Sequence, residues 1–141
     1  MSNSQYCIQI IREDGSNTAT SQVRDFSLNL GCTAGDNSVG FNPVETLLSA
    51  AGACITSSLR LVAENSNVPI GRVEVSACGI RQSDPPRLIS AQIEVGIESR
   101  ESDDRISRVF RVAGRNSTVV STLGEALDLN LKWKRLNQES S

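Results

Sequence analysis

Apolar residues recur at helical spacing in one long stretch of the chain and at every second position in several shorter ones. The long stretch runs from Asn42 to Glu64. Within it Leu47, Leu48, Ala51, Ile55, Leu59 and Val62 share helical periodicity, which predicts a central helix over 42–65. Asn42 suits the N-cap, Pro43 the first helical position, and Glu45 the place from which a carboxylate reaches back to the cap. The run Ser49-Ala50-Ala51-Gly52-Ala53 is small on every side. Glycine costs about 1 kcal/mol against alanine inside a helix, so Gly52 implies a close packing neighbour.

Period-two alternation marks the strands. Strands are expected within 5–30: one over Tyr6–Arg12, an Asp14-Gly15 turn, a polar strand over Thr18–Val23, and a half-buried strand carrying Phe26, Leu28 and Leu30. A glycine-rich loop, 31–40, leads to the helix cap, but it has no phosphate-binding spacing. A long hairpin is expected over 72–98. Val73, Val75 and Ala77 share one face of its first strand, Ser83-Asp84-Pro85-Pro86 makes the turn, and Ile89, Ala91, Ile93, Val95 and Ile97 alternate along its second.

A helix follows over 102–114, capped by Ser102 or Asp103, with Ile106, Val109, Phe110 and Ala113 on one face and Gly114 as its stop. Arg105, Arg108 and Arg111 have no interleaved aromatics and read as a solvated face. A short helix over 116–122 and a last strand over 127–134 complete the order, and the polar tail from Asn137 to Ser141 is expected to fray.

Strands and helices segregated in blocks predict a single α+β domain with antiparallel sheets around the long central helix. That helix is apolar or small over most of its circumference. One small sheet cannot cover it, so a homodimer with paired central helices is expected.

Composition narrows the chemistry. The 141 residues carry a net charge of −2, which gives no pull towards nucleic acid or an anionic membrane surface. No signal-like run opens the chain, and the apolar part of the central helix, between Glu45 and Arg60, is short for a bilayer. The expectation is a soluble cytoplasmic protein with reduced cysteines. There is no histidine, which excludes Ser-His-Asp and Cys-His catalysis and removes the usual nitrogen ligand of zinc. Cys7, Cys32, Cys54 and Cys78 stand 25, 22 and 24 residues apart without a C-x-x-C pair, so neither a metal nor a cofactor is implied. What chemistry remains belongs to a thiolate, carboxylates or arginine. Cys54, on the small-residue helix, is either a buried core cysteine or a reactive thiol.

Gly40-x-Asn42-Pro43-x-Glu45-x-Leu47-Leu48-x-Ala50-x-Gly52-Ala53-Cys54 resembles the central-helix signature of the OsmC/Ohr family, the osmotically inducible protein and organic hydroperoxide resistance group. Asp84–Ile89 before its alternating strand, and Ser117–Leu123 before the last strand, resemble the same family, and the likeness extends over about 23–133. The resemblance implies an intertwined α+β homodimer. It also implies peroxiredoxin-like reduction of organic hydroperoxides by the helix thiol, here Cys54.

Two departures bear on that implication. Active members carry a second cysteine where this chain has Ser117, and the peroxidase branch carries a glutamate where this chain has Val44. Asn-Pro-x-Glu-x-Leu is closer to the less characterised redox-protein branch. Glu45 lies nine residues before Cys54, on the opposite side of an ideal helix, and is assigned to capping.

Arg24 resembles the arginine that some members bring to the thiol; alternatively it pairs with Asp25 or Glu13. Cys54 lies mid-helix, where its own helix N-terminus helps little. Cys32 and Cys78 are candidate resolving thiols, and without them turnover requires an external thiol reductant. The alternative is a non-catalytic dimer that binds a small apolar molecule between subunits.

Overall fold

Two three-stranded sheets and three helices make up the computed structural model, which describes residues 3–137. Of the tail expected to fray, residues 138–141 lie outside the described residues. The chain gathers into two compact units, one ending at Leu47 and the other starting at Leu48.

The first unit holds β1 (Gln9–Ile11), β2 (Thr18–Val23) and β3 (Phe26–Gly31), an antiparallel meander in that order. β1 is shorter than its apolar run, and Tyr6 and Ile8 lie outside it and exposed. Gly15 takes a positive φ of 77° in the first turn, where Ser16 donates its amide to the Glu13 carbonyl. Arg24 and Asp25 alone join β2 to β3, and Arg24 adopts φ 52° to close that turn. β3 departs from its half-buried expectation: Phe26 and Leu28 are exposed, at 67% and 56%.

The helix α1 (Pro43–Asn65) starts in this unit with a reciprocal capping box. Glu45 donates its amide to Asn42 Oδ1 at 2.8 Å, and Asn42 donates its own to Glu45 Oε1 at 3.0 Å. At 23 residues α1 is long and apolar enough to cross a bilayer on length and composition alone. Its buried stripe Ala51, Ile55, Leu59 and Ala63 is instead part of a packed protein core, and its remaining faces are only partly covered.

The second unit is built on β4 (Val73–Ser83), β5 (Pro86–Ile97) and β6 (Asp128–Arg135), with β5 in the middle. The α1 stripe shares one hydrophobic cluster with Ile93, Val95 and Ile97 of β5. Ile106, Val109, Phe110 and Ala113 of α2 (Asp103–Arg115) and Val120 and Leu123 of α3 (Thr118–Ala126) complete that cluster.

Four details differ from the sequence reading. β6 pairs with β5 in parallel, not antiparallel: the chain leaves β5 and returns through α2 and α3, and such a crossover brings a strand back in the same direction. A register shift between Ile80 and Arg81 leaves Ile89 without a cross-strand partner and 39% exposed, so the β5 alternation holds only from Ala91 to Val95, beyond which Gly96 is buried as well as Ile97. Gly114 does not stop α2, which continues to Arg115 before the Asn116 C-cap. α3 runs on to Ala126, beyond its expected end.

Ser102 caps α2 by accepting the Arg105 amide, and Asp103 and Asp104 follow in the first turn. Trp133 on β6 donates its indole N–H to Ser107 Oγ at 3.1 Å, which ties the last strand to α2.

Candidate active site

Cys54 sits one position before Ile55, at the margin of the buried α1 stripe, and is itself half-buried. One turn further along, Ser58 donates its hydroxyl to the Asn116 carbonyl at 3.5 Å. That bond holds the α2–α3 junction against this side of α1. The next residue, Ser117, is the N-cap of α3.

The cap is unusual in one respect. Ser117 has extended backbone angles suited to capping, but its side chain makes no cap hydrogen bond. Its hydroxyl is buried, with the residue 0% exposed, and meets no hydrogen-bond partner of ordinary geometry among the described residues. The acceptor at the α3 N-terminus is the Cys54 sulfur, which takes the Val119 amide hydrogen at 3.4 Å. A thiol on one helix thereby stands at the positive end of another.

This geometry acts on the acidity of the thiol. Burial is the largest single influence and pushes the Cys54 pKa up, since it penalises the charged form. The Ser117 hydroxyl comes next and lowers it, followed by the amides of Val119, Thr118 and Val120. The four donors together outweigh burial, and the thiol is more acidic than an ordinary cysteine. The mid-helix position still keeps Cys54 away from the N-terminus of its own helix; the amides at the sulfur come from α3.

Glu45 is placed in the capping box of α1. Arg24 occupies the β2–β3 turn of the first unit with its guanidinium over the Phe26 ring, 5.8 Å from the centroid, and forms no ion pair with Asp25 or Glu13 among the described residues. Cys7, Cys32 and Cys78 are free and exposed, and Cys78 stands opposite Gln92 in the β4–β5 pair. Among the described residues no three His, Cys, Asp or Glu side chains cluster closely enough to hold a metal ion. The sequence reading missed the amides of Thr118, Val119 and Val120. A serine cap before a short helix was visible there, but not what that helix points at.

The match to known proteins follows the same elements. Residues 35–132 match the family model described as OsmC-like protein. No curated protein matches the chain. Among solved structures, the OsmC-like protein from Mycoplasma pneumoniae superposes with a TM-score of 0.87 at 20% identity, over 96% of this chain and 100% of that one. An organic hydroperoxide resistance protein from Elizabethkingia anophelis gives 0.76 at 14% identity, over 96% and 100%. The organic hydroperoxide resistance protein OhrB of Bacillus subtilis gives 0.66 at 14%, over 92% and 98%. At such identities the structures speak for the fold, and the family model, which spans more than half of the chain, for the kinship. The chain belongs to the OsmC-like protein family.

Proposed function

We propose that the protein reduces organic hydroperoxides through Cys54 and is returned to the thiol state by an external thiol. The single observation that carries this reading is the Cys54 sulfur at the amino end of α3, accepting the Val119 amide at 3.4 Å. A peroxide-reducing cysteine must be ionised near neutral pH, and amide dipoles favour the thiolate. Attack of that thiolate on a hydroperoxide breaks the O–O bond, forms an S–O bond and releases an alcohol once the alkoxide takes up a proton. Ser117 cannot then supply a second sulfur. An external thiol displaces the oxygen as water to give a mixed disulfide, and a second such thiol frees Cys54. The names of the hydroperoxide resistance proteins that share the fold support the substrate class.

A second reading keeps the fold as a binding dimer. What favours it is a groove of about 660 Å³ beside the C-terminal half of α1, with Ala63, Val68, Ile70 and Val73 as its apolar lining.

Treating the reduced protein with cumene hydroperoxide and trapping the product with dimedone separates the two. The expected result is a sulfenic acid confined to Cys54 and formed far faster than on a free thiol, with turnover once a small dithiol is added. Oxidation of Cys54 no faster than that of a free thiol would leave the binding reading in place.

A further inference from the structure

Ser117 invites a role of its own: among the described residues its buried hydroxyl meets no hydrogen-bond partner of ordinary geometry, yet it lies beside the Cys54 sulfur and favours the charged form. Leaving a buried hydroxyl unpaired costs about 1–3 kcal/mol, and a helix cap is the place where serine usually finds an amide to accept. Here the Val119 amide goes to the Cys54 sulfur instead. A hydroxyl without an acceptor of its own is left free to donate.

We infer that Ser117 is a positioning residue that closes an anion site around the Cys54 sulfur, together with the first amides of α3, and that this site holds the thiolate before oxidation and the sulfenate oxygen after it. Three observations meet in this assignment. Ser117 is fully buried and adjoins amides that face the sulfur, so its proton points to no solvent. Its backbone is fixed as the N-cap of a nine-residue helix, and the preceding Asn116 carbonyl is held by Ser58 of α1. A neutral thiol offers only a weak acceptor, whereas an anion supplies the strong acceptor this hydroxyl lacks. The direction in which Ser117 moves the thiol's acidity agrees.

The chemistry balances without any further group. Loss of the thiol proton to solvent gives the thiolate. After attack on a hydroperoxide, the S–O bond has formed, the alcohol has left, and loss of the sulfenic proton places a negative oxygen among the same donors. The thiolate half stands independently, and the sulfenate half rests on the proposed peroxide chemistry. In this arrangement Ser117 is the site's oxyanion donor, where a cysteine at the same position offers a second sulfur.

The test is the pH profile of Cys54 alkylation by iodoacetamide, which needs no peroxide. Ser117→Ala is expected to shift the midpoint upward and to slow alkylation about tenfold at neutral pH, the worth of one hydrogen bond to a charged group. Thermal stability should stay the same or rise, since an unpaired buried hydroxyl has been removed; Ser117→Thr should restore the profile. Ser117→Cys guards against a folding failure: diamide should join the introduced thiol to Cys54, as expected if the two side chains face each other. An unchanged midpoint in Ser117→Ala, or no such crosslink, overturns the assignment. A shifted midpoint in a protein that hydroperoxides do not oxidise supports the anion site and counts against the peroxidase reading alone.

Discussion

Cys54 Sγ takes the place of a side-chain N-cap for α3, receiving the Val119 amide hydrogen at 3.4 Å. A bond of this kind links the charge of the thiol to folding. The folded-state pKa of Cys54 is lowered from its ordinary value, so the folded protein gives up the thiol proton more readily than the unfolded chain. The resulting stabilisation is complete above the unfolded-state pKa and is lost as the pH falls through the folded one. Denaturant midpoints of the wild type and of Cys54→Ala should therefore diverge as the pH rises from about 7 to about 10, with the wild type gaining. A gap independent of pH would show that the sulfur acts as a packing atom only.

The capping box of α1 makes a separate prediction about stability. Asn42 and Glu45 exchange amide hydrogen bonds of 2.8 and 3.0 Å at the helix start. Asn42→Ala should lower stability by about 1 kcal/mol in urea unfolding. Glu45→Gln, which can still reach the Asn42 amide, should lower it by less. Equal losses in the two variants would show that the charge of Glu45, rather than the box, matters at this end.

Gly52 faces Val75 of β4, and a methyl group built on it meets Val75 Cγ1 at 3.4 Å and Cβ at 3.7 Å. These are ordinary contact distances, so the neighbour implied by the sequence exists but leaves room for one carbon. Gly52→Ala should stabilise the protein by up to about 1 kcal/mol, the helix-propensity gain. Gly52→Leu should destabilise it, since its further carbons run into Val75. Thermal unfolding of the two variants reads both signs, and a loss in Gly52→Ala would mean that the space is needed for something other than Val75.

These cases show what the sequence made legible. Local signals carried well: Asn42-Pro43-x-Glu45 describes the start of α1, and Ala51, Ile55 and Leu59 its buried stripe, because capping and periodicity act within a few residues. The α+β order and the kinship followed from the same segments. What escaped depends on tertiary return. β6 alternates just as an antiparallel strand does, and only the passage through α2 and α3 sets its direction. The amides at Cys54 carry no side-chain signature at all. Their presence follows from the direction of α3, which the side chains of 118–126 do not specify.

We propose that the exposed apolar residues form the interface of a homodimer. Phe26 and Leu28 of β3 are 67% and 56% exposed, and Leu61, on the side of α1 away from its buried stripe, is 59% exposed. Soluble chains rarely leave such residues open together, and a second copy offers the same apolar surfaces in return. Light scattering on the purified protein should give the mass of two 15.2 kDa chains at micromolar concentration. Phe26→Glu and Leu61→Glu place a charge on each surface in turn, and each should shift the mass towards one chain if its surface lies in the interface. The Cys54 alkylation profile, followed in the same samples, then tells whether the acidic thiol depends on pairing. A single-chain mass for the wild type would sink the dimer.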